Sequence, residues 1–179
     1  RVLDVERAMD LALPGHLYAK SPVDMACWDI AGQAASVPIA DLMGGGSRTP
    51  RAIASSVGAR TIEETRDVIE RYRARGYVAH SVKIGGDVTR DIARIRDMES
   101  IRRPGETILY NVNRGWTRSE ALRVMRATED LQVMVEQPCE TLDDIAALSH
   151  RHACPVSVDE SLVTLQDAAR IARDGQSAL

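Results

Sequence analysis

The sequence has no long hydrophobic run. None of its segments reaches the roughly 18 consecutive apolar residues that a membrane-spanning helix requires. The first residues, Arg-Val-Leu-Asp-Val-Glu, also lack the apolar segment of a secretory signal peptide. We therefore expect a cytoplasmic protein that does not act at a membrane. Because the first residue is not Met, we expect these residues to begin inside a longer protein.

The sequence also has few cysteines and histidines, and it has no excess of positive charge. The three cysteines, Cys27, Cys139 and Cys154, are odd in number and have no Cys-x-x-Cys spacing, which indicates buried or incidental cytosolic thiols. The four histidines are scattered, which disfavours a metal site built on histidine. The net charge of −3 gives no support for nucleic-acid binding, because such binding needs a basic patch.

The sequence does contain a repeated unit in which a short apolar run ends in a polar residue and is followed by a helical pattern. The runs recur about every 23 to 28 residues, which is the length of one strand, one helix and two turns. An earlier run from Ala52 to Val57 brings the strand–helix units to five, and the four later runs end at Lys83, Asn111, Glu136 and Asp159.

This repeat predicts either a barrel of strand–helix units or an open, doubly wound parallel sheet. No Gly-x-Gly-x-x-Gly follows the first strand, and polar residues end four successive strands in chain order, whereas an open sheet gathers its site at one switch point. We therefore predict an α/β fold of the (β/α) TIM-barrel type. A closed (β/α)8 barrel typically has about 250 residues, so five units predict a truncated barrel with two unpaired sheet edges.

The polar strand ends also predict the chemistry. The carboxyl ends of parallel strands converge on one mouth of a barrel, where such folds keep their active sites. Lys83 would bring an amine to this mouth, and Asn111, Glu136 and Asp159 would bring three oxygen donors. This combination suggests a lysine that removes a proton beside a metal-bound carboxylate, because a nearby cation lowers the pKa of an amine and stabilises the charge that develops on the substrate.

Several motifs, taken together, resemble the enolase superfamily, and within it the mandelate racemase/muconate lactonizing enzyme group. The resemblance covers nearly the whole chain and keeps the order and spacing of the motifs. They are Ser-Pro-Val-Asp-Met-Ala-Cys-Trp-Asp at 21–29, Val-Lys-Ile-Gly-Gly-Asp at 82–87, Asn-Arg-Gly-Trp-Thr at 113–117, Glu-Gln-Pro at 136–138 and Asp-Glu-Ser at 159–161.

The resemblance implies two domains and one Mg²⁺. Residues 1–48 would be the C-terminal helical part of an α+β capping domain, and residues 49–179 the first five units of a modified TIM barrel. Such enzymes remove the proton α to a carboxylate with a Lys or His base, and the metal stabilises the enediolate. Glu136 and Asp159 match the second and third metal ligands, and Asn111 stands where the first, an Asp, is expected.

The resemblance also implies roles for other residues. Lys83 matches the second lysine of a Lys-x-Lys motif, the usual base, and Ser81 stands where the first lysine would be. Asn113 matches a position that commonly touches substrate, and Glu160 is expected to support the metal ligands. Ser56, at the end of the first strand, could face substrate. The second acid/base would lie beyond Leu179.

The Ser-x-Lys variant and the motifs at 113–116 and 136–141 are most similar to the cis-3-hydroxy-L-proline dehydratases of this group. Those lyases eliminate water to form Δ1-pyrroline-2-carboxylate. Two alternatives stay open: an epimerase of amino acids or proline betaines, and a catalytically silent barrel protein, which the uncharged Asn111 suggests. We further expect a homo-oligomer that acts on a small carboxylate.

Overall fold

The computed structural model describes residues 1–46, 49, 53–58, 61–149 and 154–173. The chain forms two compact units, Arg1–Arg51 and Ala52–Leu179. The predicted domain boundary between residues 48 and 49 adjoins residues that the structure does not describe, and it stays a prediction. Among the described helices, none combines the length and the apolar character that a bilayer crossing needs.

The first unit is helical, with α1 at Val2–Ala12, α2 at Leu17–Ala35 and α3 at Ile39–Leu42. The sequence suggests that the second helix begins with Ser21 as N-cap and Pro22 in its first turn, but the helix begins earlier and Pro22 lies inside it. In the additional first turn of α2, Lys20 Nζ donates to Asp10 Oδ1 of α1 at 2.6 Å, with Lys20 nearly buried and Asp10 exposed.

The second unit alternates strands and helices from β1 to α8. All four strand pairings are parallel, and the order in the sheet is β1-β2-β3-β4-β5. The elements are β1 Ser55–Val57, α4 Ile62–Arg73, β2 Ala79–Lys83, α5 Val88–Ile101, β3 Thr107–Asn111, α6 Arg118–Ala127, β4 Met134–Glu136, α7 Leu142–Ser149, β5 Val156–Ser157 and α8 Leu165–Arg173.

This sequential order decides between the two predicted architectures. A doubly wound sheet reverses its strand order at a switch point, whereas here every strand pairs with the next one along the chain. Because parallel crossovers are right-handed, an unreversed order places all the connecting helices on one face of the sheet, as in a TIM barrel. The barrel-type winding predicted from the sequence is therefore confirmed.

The two faces of the sheet differ in burial. One row across β1 to β4 is completely buried against the helices and consists of Val57, Val82, Tyr110 and Val135. Tyr110 marks this face, because its hydroxyl donates to Glu99 Oε1 of α5 at 2.9 Å. Since side chains alternate along a strand, Ser81, Leu109 and Met134 point to the opposite face, where they are half-buried.

Short polar residues start the helices that follow the strands. Thr61 and Thr117 each form a capping box, with Glu64 and Glu120, and Asp87 accepts from Arg90 N at 2.9 Å. These caps fix where each helix begins. They therefore also fix the length of the loops between the strand ends and the helices, which carry the candidate site.

A buried polar network lies on the helix side of the sheet, and its contacts were not predicted. Arg73 donates two hydrogen bonds to Glu106, at 2.6 and 2.7 Å, and both side chains are almost fully buried. Burial alone would raise the pKa of Glu106, but the bonds from Arg73 hold it below its usual range. Beside them, His80 is completely buried, with Nδ1 at 2.7 Å from Ser55 Oγ, and its burial lowers its pKa.

Candidate active site at the carboxyl ends of the strands

Three of the predicted site residues lie side by side in one row of the sheet. Lys83 is the register partner of Asn111, and Asn111 is the partner of Glu136. Each is the last residue of its strand. The row continues to Ser157, and Asp159 follows two residues later on the same chain. Residues that are distant in sequence are thus neighbours at one edge of the sheet.

Glu136 and Asp159 form a close pair of carboxylates. Burial raises the pKa of Glu136, and the negative charge of Asp159 raises it further. Lys83 acts in the opposite direction, because its positive charge favours the ionised form of Glu136. The half-buried carboxylate of Glu136 and the exposed one of Asp159 repel each other, and a positive charge placed between them would relieve that repulsion.

Lys83 is oriented by a side-chain relay that crosses the mouth of the sheet. Its amine donates to Asn113 Oδ1 at 2.6 Å, and Asn113 Nδ2 donates to Glu160 Oε1 at 2.9 Å. Asn113 adopts φ = 48°, in the left-handed region that Asn tolerates better than most residues. The relay joins the loops after β3 and β5, and it holds the amine beside the carboxylates.

Asn111 is buried and already holds one hydrogen bond. Its Oδ1 accepts from the backbone N–H of Asn113 at 3.1 Å. An amide oxygen has two lone pairs, so this bond leaves one available for a cation. The bond fixes the direction of the oxygen, which is what a ligand needs, although the amide brings no charge.

The two candidate serines lie one row deeper. Ser81 pairs with Ser56 on one side and with Leu109 on the other, so both serines are two residues below the level of Lys83 along their strands. Ser81 is half-buried, whereas Ser56 is exposed on an edge strand. Ser81 therefore lies directly beneath the site, and Ser56 lies farther from the carboxylates.

Two residues that sequence reasoning missed hold the loops of the site. Asp91 accepts from the backbone N–H groups of Gly85 and Gly86 at 3.1 and 3.2 Å and from Trp116 Nε1 at 2.9 Å. The bond to Asp91 gives Trp116 a structural role, because it ties the loop after β3 to the loop after β2. Gln137 does the same for the loop after β5. Gln137 belongs to the Glu-Gln-Pro motif, but the sequence indicated the role of neither residue, because their partners are distant or belong to the backbone.

The oxygen donors at this edge fit a hard divalent cation. In the part of the chain that the structure describes, no three His, Cys, Asp or Glu side chains form a metal cluster, since the third donor here is the amide of Asn111. Glu160 Oε2 is buried and has no hydrogen-bond partner among the described residues. Oxygen ligands with carboxylate charge are what Mg²⁺ prefers, so Asn111, Glu136 and Asp159 suit it.

The comparisons with known proteins agree with this geometry. Residues 1–44 match the mandelate racemase/muconate lactonizing enzyme N-terminal domain, and residues 64–178 match the enolase C-terminal domain-like family. The chain therefore belongs to the mandelate racemase/muconate lactonizing enzyme group of the enolase superfamily.

Two curated relatives differ in the reaction for which they are named. The chain is 39% identical over 157 residues to a cis-3-hydroxy-L-proline dehydratase from Roseibium aggregatum, covering 88% of this chain and 43% of that protein. It is 30% identical to an L-Ala-D/L-Glu epimerase from Bacillus subtilis, covering 89% of this chain and 45% of that protein. The chain thus spans about half the length of these relatives.

Solved structures show the same fold. A family member from Silicibacter pomeroyi is 82% identical, with a TM-score of 0.88 over 98% of this chain and 48% of that one. An enolase superfamily member from Roseovarius nubinhibens, complexed with magnesium, is 42% identical, with a TM-score of 0.86 over 97% of this chain and 47% of that one.

Proposed function

We propose that this chain is part of a Mg²⁺-dependent lyase that removes the proton α to a carboxylate, with cis-3-hydroxy-L-proline as substrate and Δ1-pyrroline-2-carboxylate as product. The observation that carries the proposal is the row of Lys83, Asn111 and Glu136, with the carboxylate of Asp159 beside it. The dehydratase from Roseibium aggregatum supports the choice of substrate.

Lys83 is the base in this proposal. Its amine accepts the α-proton, and Asn113 keeps the amine directed into the site through the 2.6 Å hydrogen bond. Asn111, Glu136 and Asp159 would hold the Mg²⁺, which neutralises the charge that develops on the substrate carboxylate. Once the α-proton has moved to Lys83, the β-hydroxyl takes a proton from a general acid of the full-length protein and departs as water, which leaves a carbon–carbon double bond. The ring N–H proton then moves to C3, and this tautomerisation gives the carbon–nitrogen double bond of Δ1-pyrroline-2-carboxylate.

Ser81 gives the site a feature of its own. A lysine at this position would add a second positive charge beside Lys83, whereas the serine adds a small hydroxyl directly beneath the row. The hydroxyl leaves room for a ring and can form a hydrogen bond with the substrate. This supports a cyclic substrate such as hydroxyproline.

Epimerisation is the second candidate, and the epimerase relative favours it. It uses the same first step, because the carbanion that Lys83 forms is then protonated on its opposite face. The two reactions therefore differ only in the fate of the carbanion after proton removal. The arrangement of groups around Lys83 therefore suits elimination and epimerisation equally.

Incubation in D₂O separates these possibilities. The full-length protein with Mg²⁺ and cis-3-hydroxy-L-proline is followed by proton NMR and mass spectrometry. The lyase predicts a product that has lost the hydroxyl, and the epimerase predicts an α-deuterated epimer with the hydroxyl intact. A substrate that keeps both its α-proton and its hydroxyl would contradict both and favour a silent barrel protein.

The expectations of a homo-oligomer and of a cytoplasmic location remain proposals as well. Sedimentation of the full-length protein tests the first, and fractionation of cells that produce it tests the second.

A further inference from the structure

Gln137 lies at the point where the backbone ladder between β4 and β5 ends. Its N–H donates to the Ser157 carbonyl at 2.9 Å, which is the last rung. Beyond this rung, the side chain of Gln137 takes over from the backbone as hydrogen-bond acceptor. Its Oε1 accepts from the backbone N–H of Asp159 at 3.0 Å and of Ser161 at 3.2 Å. The segment that carries Asp159 is thus bound to a side chain.

The side chain of Gln137 is completely buried and fully satisfied. Its Nε2 donates to the Cys139 carbonyl at 3.0 Å and to Ser161 Oγ at 2.6 Å. An amide side chain offers two donors and two acceptor lone pairs, and all four are used. The orientation of the amide is unambiguous, since backbone N–H groups can only donate and Oε1 must therefore face them.

Gln137 also lies between the ligands in the chain and in space. It directly follows Glu136, and its carbonyl accepts from the backbone N–H of Arg114 at 2.8 Å, in the loop after β3. Its φ of 40° turns the chain at the strand end. One residue therefore connects the loops after β3, β4 and β5, which carry Asn113, Glu136 and Asp159.

We propose that Gln137 is a positioning residue that sets the separation between the Glu136 and Asp159 carboxylates and so determines the affinity of the site for a divalent cation. The inference rests on the proposed function, because it concerns the same site. Residues that orient metal ligands typically change metal affinity by about 10- to 100-fold when they are replaced.

The test replaces Gln137 with methionine, which keeps its length and removes all four hydrogen bonds. Mg²⁺ binding to the full-length protein is measured by calorimetry, together with the shift in melting temperature that Mg²⁺ causes. We expect the Mg²⁺ dissociation constant to rise more than about tenfold and the Mg²⁺-induced shift to shrink. A general loss of stability would lower the melting temperature without removing that shift.

Thr128→Val is the matched control. Thr128 is also buried, and its hydroxyl donates to the Val124 carbonyl at 3.0 Å, just past the end of α6 and ahead of the strand that carries Glu136. We expect this variant to lose stability and keep its Mg²⁺ affinity. Equal affinity in the wild type and Gln137→Met, or a parallel loss in Thr128→Val, would overturn the inference.

Ser161→Ala decides the question if Gln137→Met does not fold. It removes one partner of Gln137 Nε2 and keeps both backbone donors to Oε1. We expect a smaller but measurable loss of Mg²⁺ affinity, and unchanged affinity would count against the role of Gln137. If the wild type itself fails to bind Mg²⁺, the proposed function fails too, whereas normal wild-type binding with unaffected variants rejects the positioning role alone.

Discussion

Asn111 places an uncharged oxygen between Lys83 and Glu136 in the row of strand ends. A carboxylate at this point would add a negative charge to the ligand set. The amide instead provides one fixed oxygen, held by the Asn113 N–H. The site thus has the geometry of three oxygen donors and the charge of two.

We predict that Asn111→Asp binds Mg²⁺ as tightly as the wild type or more tightly. Aspartate keeps the oxygen that accepts from Asn113 N–H, and it adds the charge that a divalent cation favours. Calorimetric titration of the full-length protein measures the change, and Asn111→Leu, which removes the oxygen, should bind more weakly. Weaker binding in Asn111→Asp would argue that Asn111 is not a ligand.

Lys83, Asn111, Glu136 and Asp159 were accessible from the sequence because each ends an apolar run, and parallel strands bring such ends together, whereas Ser81 and Asn113 came from the resemblance to the family. The supporting residues were not. Gln137 and Asp91 act through bonds to backbone groups of other loops, and these depend on how the loops fold against one another. Local patterns carry no information about such contacts.

At the scale of elements, Arg–Asp pairs join each barrel helix to the next. They link α4 to α5, α5 to the end of α6, α6 to α7 and α7 to α8, through Arg66–Asp97, Arg96–Asp130, Arg118–Asp144 and Arg170–Asp143. Most of these side chains are exposed, so each pair contributes little to stability. The pair of Arg73 and Glu106 differs from these pairs because both of its side chains are almost fully buried.

We predict that Glu106→Gln destabilises the protein by about 3 kcal/mol, because it removes the buried charge partner of Arg73 and leaves the guanidinium only the exposed carboxylate of Glu70. Chemical denaturation measures the free energy of unfolding. Asp130→Asn is the control, since it breaks an exposed pair and should leave the unfolding midpoint almost unchanged. Equal effects from the two variants would contradict the stabilising role of the buried pair.

His80 predicts a pH dependence of stability. Burial lowers the pKa of His80 below 6.5, with Glu106 partly opposing and Arg73 assisting the shift. The unfolded chain therefore binds a proton more readily than the folded one, and stability should fall as the pH drops below 6.5. The contribution is intact above that pH.

The denaturation midpoint at pH 8 and at pH 5.5 checks this expectation. His80→Asn keeps a polar atom near the Ser55 hydroxyl and removes the titrating ring, so the difference between the two pH values should shrink. An unchanged difference in this variant would assign the pH dependence to other groups.

Helix starts were predictable where a side chain caps the backbone: Thr61 was expected as a cap, and Asp87 and Thr117 are each one of two candidates that the sequence offers, with Thr89 and Ser119 as the others. The start of α2 was not, because the helix includes the four residues before its local signal at Ser21, among them Lys20, which is paired with Asp10 of α1. Strand ends were predicted within two residues: β2, β3 and β4 end at the last residue of their apolar runs, whereas β5 ends at Ser157, two residues before Asp159.

At the scale of the whole molecule, the common direction of the strands explains why the candidate residues meet at one edge of the sheet. Every strand in the described sheet runs in the same direction and pairs with the next, so all carboxyl ends open on one edge. A reversed strand would move its polar end to the opposite edge. The order of units along the chain thus becomes the order of functional groups across the site.

Lys83 is one of only two lysines in the chain, and the other 21 of the 23 basic residues are arginines. An amine can lose its proton at accessible pH, whereas a guanidinium cannot. Lys83 is therefore the one of the two basic side-chain types that can accept a proton, and Lys83→Arg keeps the charge while removing that capacity.

The most direct test measures the rate at which the α-proton signal of cis-3-hydroxy-L-proline disappears in D₂O, for the full-length protein and its Lys83→Ala and Lys83→Arg variants. The signal disappears in elimination and in epimerisation alike. We predict that both variants slow its loss by about 10²–10⁴-fold or more while the melting temperature stays near that of the wild type, because a half-buried strand end contributes little to the core. Loss of the signal at the wild-type rate in either variant would contradict the assignment of Lys83 as the base.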